Sequence, residues 1–321
     1  MRTALFALTL SILALPALAQ NIPGSWTSEW PDTDFSMMSV EPSEVRSGGP
    51  PKDGIPAIDD PVLIPVTEGD IPDREPVVSV EIGGDARAYP VRYLMWHEIV
   101  NDRFGRRPVS VTYCPLCNAA VAFEGTVAGG ETTFGVSGKL RNSDMIMYDR
   151  ATESWWQQFT GEAIAGTRLG ETLTKLPARL ESWASFRARH PEGRVMAAPE
   201  GSRRDYGRNP YVGYDTLTKP WLYAGDPPPH DIPMMARVVV VDDRAWPVER
   251  LVEAGALTED GVTLTWEAGQ ASALDTDRLA EGREVGNLSV TDAAGAPMVH
   301  DVTFAFVFHA FEPEGRWMLG G

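Results

Sequence analysis

Residues 76–94 read Pro76-Val77-Val78-Ser79-Val80-Glu81-Ile82-Gly83-Gly84-Asp85-Ala86-Arg87-Ala88-Tyr89-Pro90-Val91-Arg92-Tyr93-Leu94. Val77–Ile82 is β-branched, Gly83-Gly84-Asp85 is a turn sequence, and Ala86–Tyr89 can return as a second strand. Pro90 then opens a helix at a position where its missing N–H does no harm. The helical run carries Leu94, Trp96 and His97 and is expected to end near Asn101. The same phrase recurs as Arg244-Ala245-Trp246-Pro247-Val248-Glu249-Arg250-Leu251, identical to residues 87–94 at five of eight positions, with Trp for Tyr at a sixth. Each copy follows a Val-rich strand (Val77–Ile82, Val238–Val241) and precedes a helix and a further strand, the latter Val262–Trp266 in the second copy. The pattern predicts a duplicated unit, with half-repeats at about 76–200 and 232–315 packed as one body. The fold class is α+β and β-rich, with antiparallel sheets and a few short helices.

Outward from this unit, the N-terminal side divides in two. Arg2, an apolar run from Ala4 to Leu15, Pro16 and the small-residue site Ala17-Leu18-Ala19 form a signal peptide over residues 1–19, with cleavage expected between Ala19 and Gln20. The run is too short for a stable membrane anchor, and no cysteine stands at the cleavage point. The mature chain is expected to be periplasmic or secreted, without a membrane anchor. Residues 20–75 are rich in Pro, Gly and Asp, most densely at Gly48–Pro56, and predict an extended arm that wraps the surface of a single domain at 76–321. Lys and Arg number 28 against 45 Asp and Glu, for a net charge of −17. Such a surface repels nucleic acid and anionic lipid.

Further along, Val109–Tyr113 reads as a strand, Ala119–Phe123 and Thr132–Val136 as a hairpin about Gly129-Gly130, and Trp183–His190 as a helix closed by Pro191. The two cysteines of the chain, Cys114 and Cys117, follow the first of these strands in Cys114-Pro115-Leu116-Cys117-Asn118. Two cysteines cannot form a disulfide scaffold for so long a chain. A Cys-x-x-Cys pair is a redox dithiol, part of a metal site, or a small structural disulfide. A thioredoxin-type pair caps a helix; strand–turn–strand suits a metal knuckle better. With no second pair, a four-thiolate site within one chain is excluded. Further ligands would be His, Met, Asp or a second chain; the candidates are His97, Met145 or Met147, with His309, expected in a C-terminal strand, a weaker one. Each of these is also an ordinary packing residue. Thiolates with Met or His suit copper. The same pair could instead cycle as a dithiol with a periplasmic redox partner.

Two other functions compete. Cys114 could be a nucleophile with His97 as its base, in an acyl-transfer or hydrolase enzyme, although no nucleophile elbow, P-loop, dinucleotide or zinc-protease motif is present. The chain could also bind a small polar molecule, with the cysteines as a structural clip. Ser137, Arg141, Asn142, Ser143, Asp144, Asp149, Arg150, Glu153, Ser154, Trp155 and Gln158 fall close together in sequence. They fit either a binding wall beside the cysteine loop or a buried network joining strands.

From Trp96 onward the chain resembles a bacterial family, domain of unknown function 3179 (DUF3179). The resemblance rests on Trp96–Asp102, Val111–Cys117, Phe134–Asp144, Met147–Arg150, Thr152–Gln158 and Gly161–Ile164, which occur in order. Asn118 replaces the glycine usual after the second cysteine, and Asn tolerates a left-handed backbone. The resemblance implies a family and no reaction.

Overall fold

The computed structural model describes residues 22–320. The expected signal peptide and its cleavage site therefore lie outside the described residues. No described helix is long and apolar enough to cross a membrane.

The hairpin at residues 76–90 forms as its sequence dictates. Pro76–Ile82 pairs antiparallel with Asp85–Pro90, Val78 opposite Tyr89. Gly83 and Gly84 turn the chain at φ 60° and 83°, conformations that glycine adopts without steric cost. Pro90, at φ −60°, precedes the helix Val91–His97. That helix stops four residues before the expected Asn101. Ile99–Phe104 is instead a strand paired with Arg107–Cys114, because its β-branched and aromatic side chains are buried on the sheet. Glu98 makes the reversal. Its N–H still donates to Leu94 O at 2.7 Å, while its backbone takes φ 60° and ψ −33°.

The second copy repeats this path. Arg237–Val241 pairs with Arg244–Pro247, Val239 opposite Trp246. The helix Val248–Ala254 follows, then the hairpin Ala256–Glu259 with Val262–Glu267. The correspondence extends beyond the eight-residue match. In the first half, Ala178–Ser182 and Arg194–Met196 flank the 76–90 hairpin, joined by the helix Trp183–Arg189. In the second, Asp301–Phe304 and Arg316–Trp317 flank the 237–247 hairpin, joined by the helix Ala305–Phe311. The last strand is parallel in both, with Arg194 opposite Arg87 and Arg316 opposite Arg244. His309 thus lies on a helix and not in a strand.

The predicted hairpin of 119–123 with 132–136 does not form. Ala119–Glu124 pairs with Arg107–Cys114, and Phe134–Arg141 pairs with Asp144–Asp149 in another sheet. A two-residue ladder, Thr126–Val127 with Gly130–Glu131, and a bond from Thr132 N–H to Gly125 O at 2.9 Å close the turn between them. Strand-forming runs on either side of a Gly-rich turn read alike whether they pair with each other or part.

The arm is more structured than its composition suggests. It opens with the helix Gly24–Glu29. It then lends one edge strand to each of three sheets: Val45–Ser47 to Phe134–Arg141, Ile58–Asp59 to Ile99–Phe104, and Leu63–Pro65 to Arg194–Met196. Gly138, at φ 70°, is where the arm passes closest, since a Cβ there would lie 2.0 Å from Pro50 O. Trp26, Trp30 and Phe35 pack against Trp155, and Trp30 also against Tyr148, with ring centroids 4.8–5.4 Å apart for these contacts of Trp155 and Tyr148. Truncating a buried tryptophan removes its contacts and leaves a cavity. Trp30→Ala is expected to lower unfolding stability by about 3–5 kcal/mol, measured by denaturant titration; a loss below about 1 kcal/mol would mean that the arm is not an integral part of the core.

Candidate functional site

The cysteines occupy the connection between Arg107–Cys114 and Ala119–Glu124, with Cys114 paired to Ala119. Cys117 N–H donates to Cys114 O and Asn118 N–H to Pro115 O, each at 3.2 Å. Asn118 closes the turn at φ 51°, as its place after the second cysteine requires. The pair is therefore on a strand–turn–strand loop and caps no helix. Both thiols are free and buried. The second half clamps the loop from behind: Cys117 O accepts from Thr303 Oγ1 at 2.8 Å and from Phe304 N–H at 3.3 Å. Tyr214 Oη donates to Leu116 O at 3.0 Å.

A third group arrives from another hairpin. Phe134–Arg141 and Asp144–Asp149 are joined by Asn142 and Ser143, at φ 52° and 64°. This two-residue turn places Asp144 beside the thiols. The Sγ atoms of Cys114 and Cys117 and a carboxylate oxygen of Asp144 all lie within 4.8 Å of one another. Asp144 Oδ2 accepts from Gln157 Nε2 at 2.7 Å and Phe159 N–H at 2.9 Å. Its Oδ1 is buried with no oxygen or nitrogen partner among the described residues. An unmatched carboxylate oxygen in the interior is costly.

The electrostatics follow from burial without counter-charge. Burial pushes the Cys114 thiol up and the Cys117 thiol well up. Burial also raises Asp144 from its ordinary 3.8 to about 6, opposed by hydrogen bonds from Gln157, the Phe159 N–H and the thiols. Glu98 is raised from 4.5 to about 8, by burial first and by the charge of Asp144 second. Glu98 and Cys114 line one cavity of about 240 Å³, walled by Ile55, Leu116, Val136 and Met145 and edged by Tyr211 and Trp221. Ser143 Oγ donates to Trp221 O and holds that edge.

The other sequence candidates separate from this centre. His97 is corrected as ligand and as base: Nδ1 lies 2.7 Å from Pro56 O and Nε2 2.7 Å from Tyr206 Oη. One nitrogen donates to a carbonyl and the other accepts from a phenol, so the ring ties the arm to the 206 segment. Met145 lines the cavity but belongs to the core, and Met147 packs in the same core opposite Trp156. His309 is not among the three converging groups.

The polar cluster resolves largely into the network that joins strands. Ser137 Oγ donates to Ile146 O and accepts from Lys139 N–H. Arg141 pairs with Glu44 at 2.8 Å, and Asn142 forms the turn. Asp149 accepts from Thr152 and from Trp156 Nε1. Ser154 accepts from Arg168 N–H at 3.1 Å, and Trp155 sits under the arm. Gln158 Nε2 bridges Thr112 Oγ1 and Ala119 O. Of that set, Asp144 brings its carboxylate to the thiols, and Ser143 O accepts from Cys114 Sγ at 3.7 Å. Glu98, Tyr211 and Trp221 were missed. A signal for Glu98 existed in the repeat, because it aligns with Gly255.

The fold and the centre together define a duplicated β-rich protein carrying a buried cysteine–carboxylate cluster. The chain belongs to the family described as protein of unknown function (DUF3179), whose model matches residues 52–315 and so spans the whole centre. No curated protein and no solved structure matches it.

A carboxyl whose proton is held more tightly folded than unfolded stabilises the protein at low pH and loses that contribution as pH rises. For Asp144 the window runs from about 4 to about 6, and at about 1.4 kcal/mol per pH unit the change is about 3 kcal/mol. In metal-free protein, wild type should lose stability relative to Asp144→Asn across that window. Parallel curves for the two from pH 4 to 7 would show that Asp144 is not held in a desolvated site.

Proposed function

We propose that the protein binds a thiophilic metal ion through Cys114, Cys117 and Asp144. The observation that carries this is the convergence of three ionisable, metal-ligating side chains at a buried point where one carboxylate oxygen has no oxygen or nitrogen partner among the described residues. Two thiolates and a carboxylate bring three negative charges, and a divalent ion would offset two of them. A bound cation also removes the cost of ionising thiols in a poorly solvated place. The donor set bears on the metal. Copper fitted thiolates with Met or His; with a carboxylate oxygen in their place, the borderline ion zinc fits better and copper(I) less well. Three protein ligands leave a tetrahedral ion one open position, and Cys114 borders the cavity through which a further molecule would reach it. In an exported chain the same ion would keep the dithiol from closing to a disulfide.

A dithiol that cycles with a disulfide is the second reading, favoured by the turn that holds the cysteines together and by a carboxyl beside them to exchange a proton. The cysteine-nucleophile reading loses its base, since both nitrogens of His97 are engaged elsewhere.

Purified mature protein is expected to hold about one equivalent of zinc. Because both thiols are protonated when metal-free, uptake near pH 7 should release about two protons, and affinity should climb with pH. Cys117→Ser and Asp144→Asn are each expected to weaken zinc binding at least about tenfold. Calorimetry in buffers of different ionisation enthalpy and metal analysis measure both. Protein that takes up no zinc while its thiols are reduced would rule the metal site out, and a reversible Cys114–Cys117 disulfide would then favour the second reading.

A further inference from the structure

The two halves differ at one structurally equivalent position in a way that the fold does not require. In the second half the helix Val248–Ala254 ends at Gly255, φ 72° and ψ −50°. In the first, the helix Val91–His97 ends at Glu98, φ 60° and ψ −33°. Both N–H groups close the same bond, Glu98 to Leu94 O at 2.7 Å and Gly255 to Leu251 O at 2.8 Å. Glycine accepts this conformation freely, whereas a residue with a Cβ is strained in it. The Glu98 carboxyl does not compensate, because no described residue hydrogen-bonds to it or pairs with it. Non-glycine residues held at such angles cluster at functional sites.

The surroundings say what the carboxyl could be for. The cavity it lines has apolar walls in Ile55, Leu116, Val136 and Leu140. The rings of Tyr211 and Trp221 stand at its edge with centroids 6.3 Å apart. The Lys139 ammonium also borders it but is bonded to Glu29 Oε2 at 2.8 Å. Aromatic faces attract cations, and an ammonium group beside Glu98 would offset the cost of ionising its carboxyl in this poorly solvated place. At about 240 Å³ the space exceeds the roughly 150 Å³ that admits benzene.

We propose that this cavity is a binding site for a small, mostly apolar amine, whose ammonium group is recognised by Glu98 and the aromatic edge. The proposal extends the metal reading by naming the class of molecule that would enter beside the ion, but its own evidence is Glu98 and the cavity. The test uses full mature protein, with and without zinc, titrated by calorimetry with the size-matched probes benzylamine, benzyl alcohol and benzoate. Zinc content is measured in every sample. Benzylamine is expected to bind at least about tenfold more tightly than benzoate, and Glu98→Gln to remove that preference. Glu98→Gly should do the same while raising the unfolding temperature, since glycine is what the second half uses there. Equal binding of benzoate and benzylamine, or a preference unchanged in Glu98→Gln, would overturn the proposal. So would loss of zinc in Glu98→Gln, which would make Glu98 a ligand of the ion, or a lower unfolding temperature for Glu98→Gly, which would make it a structural residue. If the protein takes up no zinc yet still prefers benzylamine through Glu98, the metal reading fails and this one stands.

Discussion

Two thiols and two carboxyls lie near one another in a poorly solvated region, and no basic side chain of the described residues is bonded to any of them. Each is easier to keep neutral than charged, and each raises the cost of ionising its neighbours. A folded protein could relieve this by substituting apolar groups of similar size, usually at no loss of stability. The acids instead sit on three backbone segments that are all held in place: a turn clamped from behind, a two-residue hairpin turn, and a strained helix end. That rigidity is what a metal or ligand site needs, because the repulsion between donors is then met by the fold before anything binds.

The duplication explains how the chain reaches this arrangement. Each half builds a hairpin, a proline-led helix, a second hairpin, and a flanking pair of strands joined by a short helix. In the first half the cysteine turn follows the second hairpin and leads from Arg107–Cys114 into Ala119–Glu124. The second half has no such turn, but its Asp301–Phe304 strand supplies the Thr303 hydroxyl and Phe304 N–H that fix Cys117 O. One copy carries the cysteine turn and the other immobilises it. The arm completes the site from a third direction, since Pro50 and Ile55 line the cavity and Pro56 O accepts a hydrogen bond from His97 Nδ1.

Much of the fold is legible in local sequence. The 76–90 hairpin, the proline-led helix, the cysteine turn with its left-handed Asn118, and the repeat itself each depend on residues adjacent in the chain. What local sequence misreads has a common cause. Ile99–Phe104 looks helical after His97, but burial on both faces makes it a strand. The runs at 119–123 and 132–136 look like partners because a Gly-rich turn lies between them, yet their true neighbours are Arg107–Cys114 and Asp144–Asp149. Pairing over distance overrides pairing by proximity whenever more apolar surface is buried that way.

For the site the division is sharper. Sequence by itself determined that Cys114 and Cys117 face one point from a tight turn, because a two-residue spacer containing proline between strands leaves little else open, and that two thiolates need further partners. Tertiary structure alone decided which other ionisable group meets them. Asp144 stands among many polar residues with nothing in its neighbourhood to distinguish it, and only the Asn142-Ser143 turn, docked against the cysteine loop, brings its carboxyl within 4.8 Å of both sulfurs. His97, nearer in sequence and better suited as a ligand by type, is turned away by two hydrogen bonds to residues 41 and 109 positions distant. Ligand identity depends on which side chains meet in space, and those meetings are set by packing between segments that the sequence does not place next to each other.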